Sequence, residues 1–571
     1  MQKQITLVTL LLLGVLSLWA QNEPKAVTST FALQKVTIVQ APGKVITDGT
    51  VVVKDGLIHA VGKDITIPFD AKIVKADSMI VYPGFISGAA HIGIPKVEQK
   101  DEGGRRRRDP DVKDPGNPPN DKAGIQPERQ VRDLLKADEN SIESMRKLGF
   151  TTAQVMPDGK MLPGQSSIIL LAGESANDMI LMESTALFFQ FKGASGVAPA
   201  TVIGVMSKIR DLYKQAEQAK AHQTAFMKAP AGMKRPESDP VLEAFYPVID
   251  RKKPMMMKTN TSRDISRAMV LQKEMGYPLV FTGVKQGYNY VDQMKGQNVL
   301  LSLDLPKAKA DKKKKEEEGE EMKEKTPEEE EMAALEMRRA EEMKKMESQA
   351  ATLAGKGVNF GFSTLDAKAK DIKANIKRMM EAGLTEEQVL AALTTYPAKM
   401  LGIEKVTGTV AKGKIANLVV TDAPYFEDDA NVRYVFVDGQ LFEYEAKAKK
   451  KKKKAGQDGE ATEEQADVAG TWTYEMSVPG QELEGMLRVE MEEDELKVFM
   501  SDPSGSGEEE EVDDANLEGD VMTFTMTVDQ GGGSMTVNFE LTFDGEAYEG
   551  AMSIGEFGSF DVEGVRTKKP E

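Results

Sequence analysis

The stretch VYPGFISGAAHIGIP, residues 81–95, decides how the chain is organised. Its apolar residues are typical of a buried strand, which the Pro83-Gly84 pair interrupts before it continues through Phe85. His91 follows just past the end of the second part. The stretch therefore predicts a buried strand with one histidine beyond its carboxyl end.

The composition limits the classes of protein to which the chain can belong. The chain has 571 residues, 40% of them hydrophobic, and a formal net charge of −17. Its length predicts more than one domain, and its acidity argues against a general nucleic-acid binder, whose surface is usually basic. The absence of cysteine excludes disulfides and thiolate metal sites, and the only histidines are His59, His91 and His222.

Residues 1–20 predict a secretory signal peptide. Lys3 supplies a positive charge, residues 5–18 form an apolar run too short to span a bilayer comfortably, and Ala20 is a small residue suited to cleavage. A membrane anchor is the alternative. Because no later apolar run reaches spanning length, we expect a secreted or periplasmic protein with no membrane span after cleavage.

The middle of the chain predicts two kinds of structure. Residues 27–82 contain short strands separated by turn pairs such as Asp55-Gly56. From residue 131 onwards helices and strands alternate, which favours a parallel sheet with helical crossovers. Polar insertions at 96–130 and 307–347 interrupt this order.

Several segments resemble the amidohydrolase superfamily over residues 27–445, and its imidazolonepropionase-like branch most of all. They are TVVVKDGLIHAVG, PGFISGAAH, AGLTEEQVLAALTTYPAKMLGI and GKIANLVV. The resemblance implies an α/β fold, with a TIM-like (β/α)₈ barrel at 83–404. It also implies a composite β-sandwich formed by 27–82 together with 405–445.

In such a barrel, the loop at 96–130 follows the first strand and would lie over the mouth. Its guanidiniums are candidates for binding an anionic ligand. They belong to Arg105, Arg106, Arg107 and Arg108. The alternative is a solvated loop whose basic and acidic residues neutralise each other. For the second insertion, rich in Lys and Glu, we expect an exposed, partly disordered excursion, with a solvated helix as the alternative.

The C-terminal part predicts a separate domain. Residues 446–467, basic and then acidic with glycine, are typical of a flexible linker. In residues 468–571 apolar and polar residues alternate, which predicts an all-β meander closed into a small barrel or sandwich. Its Gly-x-Trp opening at Trp472 is weakly similar to lipocalin-like barrels, so a ligand cavity and an accessory role both stay open.

The resemblance implies a metal-dependent hydrolase of C–N bonds. Such enzymes activate water on one or two divalent metals, held by an H-x-H pair, two later histidines and an aspartate after the last strand. By position, Ala89 and His91 take the places of the H-x-H pair. The two later histidines fall within residues 258–260 and near Thr282, and the aspartate aligns with Leu365, one residue before Asp366.

The expected ligand set is therefore depleted, because three histidines cannot supply four ligands. Asp366 would point away from the site in a regular strand, since strand residues alternate, unless a bulge turned it back. Carboxylates and the amide of Asn260 could hold a hard cation weakly. We expect no tightly bound cofactor, and zinc only if the chain is an active hydrolase.

The main hypothesis is a degenerate member, or pseudoenzyme, that binds a small-molecule or peptide ligand or a partner. In it, His91 is the surviving candidate metal position, Asp366 the candidate catalytic residue and Asn260 a candidate ligand-binding residue. One alternative is an active hydrolase with a rearranged site that uses His91, Asp366 and Asp304. Another is a structural subunit that assembles as a homo-oligomer or with an intact amidohydrolase paralogue.

Overall fold

The computed structural model describes residues 29–95, 112–306 and 327–446, and residues 467–568 except 479–480, 493–494, 502–508, 519, 531–532 and 555–557. The described residues form two compact units, one ending at residue 446 and the other beginning at residue 467. No helix in these ranges has the length and apolar character needed to cross a membrane. The predicted signal peptide, the four arginines from Arg105 to Arg108 and the linker residues 447–466 lie outside the described residues.

The first unit contains both strands and helices. Its strands are β1 (Phe31–Ala41), β2 (Lys44–Lys54), β3 (Leu57–Gly62), β4 (Lys72–Ile73), β5 (Ile80–Pro83), β6 (Phe85–Ala90), β7 (Phe150–Val155), β8 (Gly164–Leu170), β9 (Ile180–Gln190), β10 (Met255–Lys258), β11 (Leu279–Val284), β12 (Asn298–Ser302), β13 (Gly361–Ser363), β14 (Leu418–Thr421), β15 (Val432–Val437) and β16 (Gln440–Glu443). Its helices are α1 (Asn140–Lys147), α2 (Ala176–Met179), α3 (Val202–Lys228), α4 (Pro240–Glu243), α5 (Tyr246–Ile249), α6 (Ser262–Met275), α7 (Pro327–Gly355), α8 (Ala369–Glu381), α9 (Glu386–Leu393) and α10 (Thr395–Met400).

One eight-stranded sheet combines strands from both ends of this unit. Its order is β16-β15-β14-β5-β1-β2-β3, with β4 paired to β1. β5 and β14 join the two ends, pairing antiparallel from Ile80 opposite Thr421 to Pro83 opposite Leu418. The sheet has its own apolar core, in which Phe31 and Phe436 meet edge to face with ring centroids 5.7 Å apart. The composite sandwich thus takes the form of one continuous sheet.

The predicted Asp55-Gly56 turn connects β2 and β3. Both residues have positive φ, 49° and 78°, as the tight hairpin turn between right-twisted strands requires. Gly439 packs against this turn, and a Cβ added to it would lie 2.6 Å from the Gly56 Cα. The second turn position and its neighbour therefore both require glycine.

The other eight strands form a barrel-like sheet in chain order from β6 to β13. Five of these strands, β6, β7, β8, β11 and β13, are buried along their whole length. Across the gap between β13 and β6, the Thr364 N–H donates to the Ala89 carbonyl at 2.9 Å. Hydroxyls of Ser87 and Thr364 also lie 2.9 Å apart. The barrel is therefore nearly closed, with a seam.

The barrel departs from the predicted (β/α)₈ pattern at its third strand. β8 runs antiparallel to both β7 and β9, whereas the other pairs in the sheet are parallel. The cause is the length of the connections, residues 156–163 and 171–179. A parallel crossover needs a dozen or more residues, usually including a full helix, and α2 is a single turn.

α6 follows β10 at the barrel mouth. Thr261 caps its start by accepting the Asp264 N–H at 3.3 Å, and Gly276 ends it with a φ of 73°. Ile265 and Leu271 bury its apolar face. These features fix the first turn of α6 beside the ends of the strands.

The described part of the second insertion, residues 327–347, lies in a helix. Residues 307–326 lie outside the described residues, but α7 covers 327–355. Near its end Ala350 and Leu353 are buried, and Gln349 accepts from the Gly287 N–H at 3.0 Å. Among the described side chains of this helix, the buried ones lie in its last turns, which pack on the barrel.

The second unit is an antiparallel all-β structure. Its strands are β17 (Gly470–Val478), β18 (Gln481–Glu492), β19 (Glu495–Ser501), β20 (Glu509–Glu511), β21 (Asp513–Glu518), β22 (Val521–Gln530), β23 (Gly533–Asp544), β24 (Ala547–Ile554) and β25 (Gly558–Lys568). Consecutive strands pair from β17 to β20 and from β21 to β25, and β17 also pairs with β25. β20 and β21 flank Val512, and they pair with β19 and β22 respectively. The nine strands therefore form a ring in which β20 and β21 are joined by the chain at Val512 and not by strand pairing.

Large side chains occupy the core of this ring. They include Trp472, Tyr474, Phe524, Phe539 and Phe543, all buried. The Trp472 indole N–H donates to the Val468 carbonyl at 2.9 Å. Burial of alternate residues matches the period-two pattern of the sequence.

Candidate functional site

An apolar layer occupies the barrel interior at the positions aligned with family metal ligands. Ala89 and Leu365, which the resemblance aligns with the first histidine and the final aspartate, are buried in one cluster. The cluster also contains Met156, Ala186, Phe188, Met256, Val280 and Leu300. The interior at this level therefore offers carbon atoms where the resemblance implies metal ligands.

His91 lies directly above this layer, just after β6. Its Nδ1 is 2.9 Å from the Met156 carbonyl oxygen, so Nδ1–H donates and Nε2 keeps its lone pair. The ring meets Phe188 edge to face at 6.3 Å. Burial lowers the pKa of His91, and the charge of Lys258 lowers it further. The imidazole is therefore neutral at neutral pH.

Lys258 and Asp366 form an ion pair across the mouth. The Lys258 ammonium lies 2.8 Å from Oδ1 and 2.6 Å from Oδ2 of Asp366. Burial alone would raise the pKa of Asp366, but the charges of Lys258 and Lys285 outweigh it and leave the pKa below its usual value. Asp366 is therefore an ionised carboxylate whose two oxygens both face a cation.

The expectation that Asp366 would point away from the site is wrong. Strand alternation does not apply there, because β13 ends at Ser363 and a turn follows in which the Ala367 N–H donates to the Thr364 carbonyl. Asp366 has a φ of 63° in this turn, the left-handed conformation that aspartate tolerates better than most residues. The turn, and no β-bulge, directs the carboxylate into the mouth.

A second ion pair lies next along the rim. Lys285 follows β11 and donates to the carboxylate of Asp304, which follows β12. Both side chains are about a quarter to a third exposed, at 22% and 34%. The two carboxylates that the rearranged-site alternative requires, Asp304 and Asp366, are thus each paired with a lysine.

The remaining expected ligand positions carry neutral groups. Thr282 is fully buried within β11. Asn260 follows β10, and its Oδ1 is buried without a hydrogen-bond partner among the described residues. That oxygen faces Gly283, where an added Cβ would be 2.9 Å away and the φ is 68°. Glycine is therefore required beside Asn260.

A cleft of about 720 Å³ opens beside Lys258. It lies between the carboxyl ends of β9 and β10 and the first turn of α6. Its lining residues are mainly polar or basic: Gln190, Phe191, Lys192, Val202, Lys258, Asn260, Thr261, Ser262, Arg263, Asp264, Arg267 and Gln286. Asn260, a predicted ligand-binding residue, is among them, whereas His91 is not.

These residues do not fit the divalent metal centre that the resemblance implies. Within the described ranges, no group of three His, Asp or Glu side chains is placed to hold a metal ion. A catalytic zinc usually has about three protein ligands. His91 and Asp366 would supply two, and the carboxylate of Asp366 already faces the Lys258 ammonium.

Sequence reasoning placed the third ligand within 258–260 but missed the role of Lys258. The signal for Lys258 in the sequence was its position as the last residue of β10. Residues at the carboxyl ends of the strands come together at the mouth of a barrel. Lys285 was missed in the same way. Asp366 was found from the resemblance alone.

Comparisons with known proteins agree with this fold. Residues 298–442 match the model of the Amidohydrolase family. An amidohydrolase structure from Thermotoga maritima is similar over 72% of this chain and all of its own, with 21% identity and a TM-score of 0.57.

Two more distant structures are a prolidase complexed with N-methylphosphonate-L-proline and a Xaa-Pro dipeptidase with bound methionine. Each covers 73% of this chain and all of its own, with identities of 17% and 14% and TM-scores of 0.42 and 0.37. The fold comparison therefore rests on the Thermotoga protein. The match to the Amidohydrolase family model covers residues 298–442, and the Thermotoga structure is similar in fold.

Proposed function

We propose that the barrel mouth of this protein binds a small-molecule or peptide ligand without the metal-dependent hydrolysis of its family. The observation that carries this proposal is the Lys258–Asp366 ion pair, with the ammonium 2.8 and 2.6 Å from the carboxylate oxygens. A lysine ammonium here supplies the positive charge that a divalent ion would otherwise bring to Asp366.

Electrostatics supports this replacement of metal by lysine. A divalent cation held by Asp366 would be repelled by the nearby ammonium, and the partly buried site screens that repulsion less than water does. The carboxylate would also lose its bonds to Lys258. The apolar layer of Ala89 and Leu365 leaves no donor beneath the pair to offset these costs.

His91 alone does not change this balance. With Nδ1–H directed at the Met156 carbonyl, only Nε2 is available to a metal. One imidazole falls short of the about three protein ligands of a catalytic zinc. Without a bound metal, water keeps its ordinary high pKa and the family reaction lacks its nucleophile.

The rearranged-hydrolase alternative has weaker support. It would use His91, Asp366 and Asp304 as acids or bases, yet Lys258 and Lys285 hold both carboxylates in ion pairs. The lowered pKa of Asp366 makes this carboxylate a poorer general base near neutral pH. Assembly with an intact paralogue remains a separate proposal, as does membership of the imidazolonepropionase-like branch, which the terminal segments support. We also propose export, on the pattern of residues 1–20.

The decisive experiment measures metal and hydrolysis on the same preparation. After dialysis of the purified protein, we expect well under one zinc per chain by elemental analysis. We also expect no zinc-stimulated hydrolysis of dipeptides or cyclic amides. Near one equivalent of zinc, lost together with activity in His91→Ala, would overturn the proposal and restore the hydrolase. Lys273→Ala, an exposed change on α6, is the matched control.

A further inference from the structure

The cleft beside Lys258 is more basic than the protein that contains it. We propose that it binds the anionic group, a carboxylate or a phosphate, of a small ligand. This inference rests on the proposed function, because it names the ligand class of the same barrel mouth. Neither the family resemblance nor the comparisons assign a ligand to this cleft.

The charges of the lining carry the inference. The cleft has four basic side chains and a single carboxylate, Asp264, in a chain whose net charge is −17. Asp264 is already occupied, since Arg267 donates to its Oδ1 at 2.7 Å and the Thr261 hydroxyl to its Oδ2 at 2.7 Å. The lining therefore contains no carboxylate left to neutralise the other cations.

Lys192 and Arg263 are the cations that remain. Both are exposed, and neither forms an ion pair with a carboxylate in the part of the chain that the structure describes. Arg263 presents a planar fork of N–H donors that matches carboxylate and phosphate groups. Two unneutralised cations facing one cleft attract an anion more strongly than either would alone.

Lys258 provides the deepest contact. Its ammonium has three N–H donors, and the two oxygens of Asp366 take two of them. The third is left for a ligand, so an anion in the cleft can extend the ion pair into a network. Such a ligand would connect the cleft to the place of the missing metal centre.

The helix start contributes little by itself. The Ser262 N–H donates to Gln286 Oε1 at 3.1 Å and the Asp264 N–H to the Thr261 hydroxyl, so these amides are already satisfied. Recognition of the anion is therefore assigned to the side chains. The volume of about 720 Å³ suits a small molecule, and amides such as Gln190 and Asn260 suit a ligand with further polar groups.

The test titrates the full-length protein with N-acetylglycine, its uncharged amide N-acetylglycinamide and inorganic phosphate, followed by ligand-observed NMR. We expect an anion to bind and the amide not to bind. The anion that binds with the higher affinity shows whether the cleft prefers a carboxylate or a phosphate. In Arg263→Gln and in Lys192→Gln the affinity should fall about five- to tenfold, because each change removes one charge-assisted contact. Lys273→Gln, at the far end of α6, should leave it unchanged.

Three results would overturn the inference: no binding of either anion, equal binding of the amide, or affinities that neither cleft variant alters. Unchanged circular dichroism would show that the variants fold. Zinc content and hydrolysis measured on the same samples separate this inference from the proposed function. If the protein holds little metal, is inactive and does not bind anions, only this inference is wrong. If it is a zinc-dependent hydrolase, the proposed function is wrong.

Discussion

The ammonium of Lys258, at the end of β10, lies within 2.8 Å of both carboxylate oxygens of Asp366, in the turn after β13. The two residues are 108 positions apart in the sequence. The side chains are 19% and 37% exposed, so the pair is partly shielded from water. It links two strands that are not neighbours in the barrel sheet.

Replacing Lys258 by Met should destabilise the first unit by about 1 kcal/mol at neutral pH, since Asp366 is exposed enough for water to screen the pair. Urea unfolding followed by circular dichroism at 222 nm reports this unit, because the described part of the second unit is all strand. Asp366→Asn and the double variant complete a cycle. A coupling free energy of zero would show that the pair contributes nothing.

The contribution of this pair should depend on pH with a defined sign. The pKa of Asp366 is lowered in the folded protein, so the stabilisation is present above the unfolded carboxyl pKa of about 4. It is lost as the pH falls through the lower folded pKa. The stabilities of the natural protein and Lys258→Met should therefore converge in acid and differ at pH 7. A difference that persists below the folded pKa would contradict this assignment.

His91 should titrate below the ordinary histidine value of about 6.5, because burial opposes its charged form. Since the folded pKa is lowered, neutral His91 stabilises the fold above about pH 6.5, and this stability is lost as the pH falls toward the folded pKa. NMR of the imidazole Cε1–H, assigned by its loss in His91→Gln, measures the titration. A pKa at or above the ordinary value would mean that the ring is not held as described.

Much of the fold could be predicted because its signals are local. The Asp55-Gly56 turn, the buried run before His91 and the period-two pattern around Trp472 each depend on neighbouring residues. The direction of β8 was missed, because hydrophobic periodicity is the same for parallel and antiparallel strands. The short connection at 156–163 was the available signal, since it has no room for a crossover helix.

The site was harder to predict than the fold. The alternation argument for Asp366 assumed a strand long enough to include it, and strand length depends on the seam with β6. The pairing of Lys258 with Asp366 has no local signal, since it arises only when the sheet curves into a barrel. By contrast, the resemblance alone placed Ala89 and Leu365 at expected ligand positions, and in the structure the two residues lie in one apolar cluster.

Leu365→Asp should destabilise the first unit by about 3–5 kcal/mol, although it restores the residue type that the family has there. The side chain is 1% exposed among apolar neighbours, so an aspartate would be buried without a partner. Leu365→Met, which conserves volume, should cost less than about 1.5 kcal/mol. Urea unfolding at 222 nm, with and without zinc, makes the measurement. If the Leu365→Asp variant folded normally and zinc stabilised it, this single substitution would be enough to create a metal-binding site.

Arg566→Ala should destabilise the second unit by about 2–3 kcal/mol, because a buried cation–π contact would be lost. The Arg566 side chain is 3% exposed, its guanidinium lies 4.4 Å from the centre of the Trp472 ring, and it pairs with Asp467 at 3.2 Å. Arg488→Ala is the matched control, since Arg488 lies 4.1 Å from the Phe499 ring centre but is 32% exposed. It should cost about 0.5–1 kcal/mol.

Tryptophan fluorescence isolates this comparison from the barrel unit. The chain has two tryptophans, Trp19 and Trp472, and the first lies in the predicted signal peptide. In the mature protein the emission should therefore follow Trp472 alone, and its midpoint in urea should shift further for Arg566→Ala than for Arg488→Ala. Equal shifts would mean that the burial of the Arg566 contact adds nothing to the stability of the second unit. The stability around Trp472 would then come from apolar packing alone.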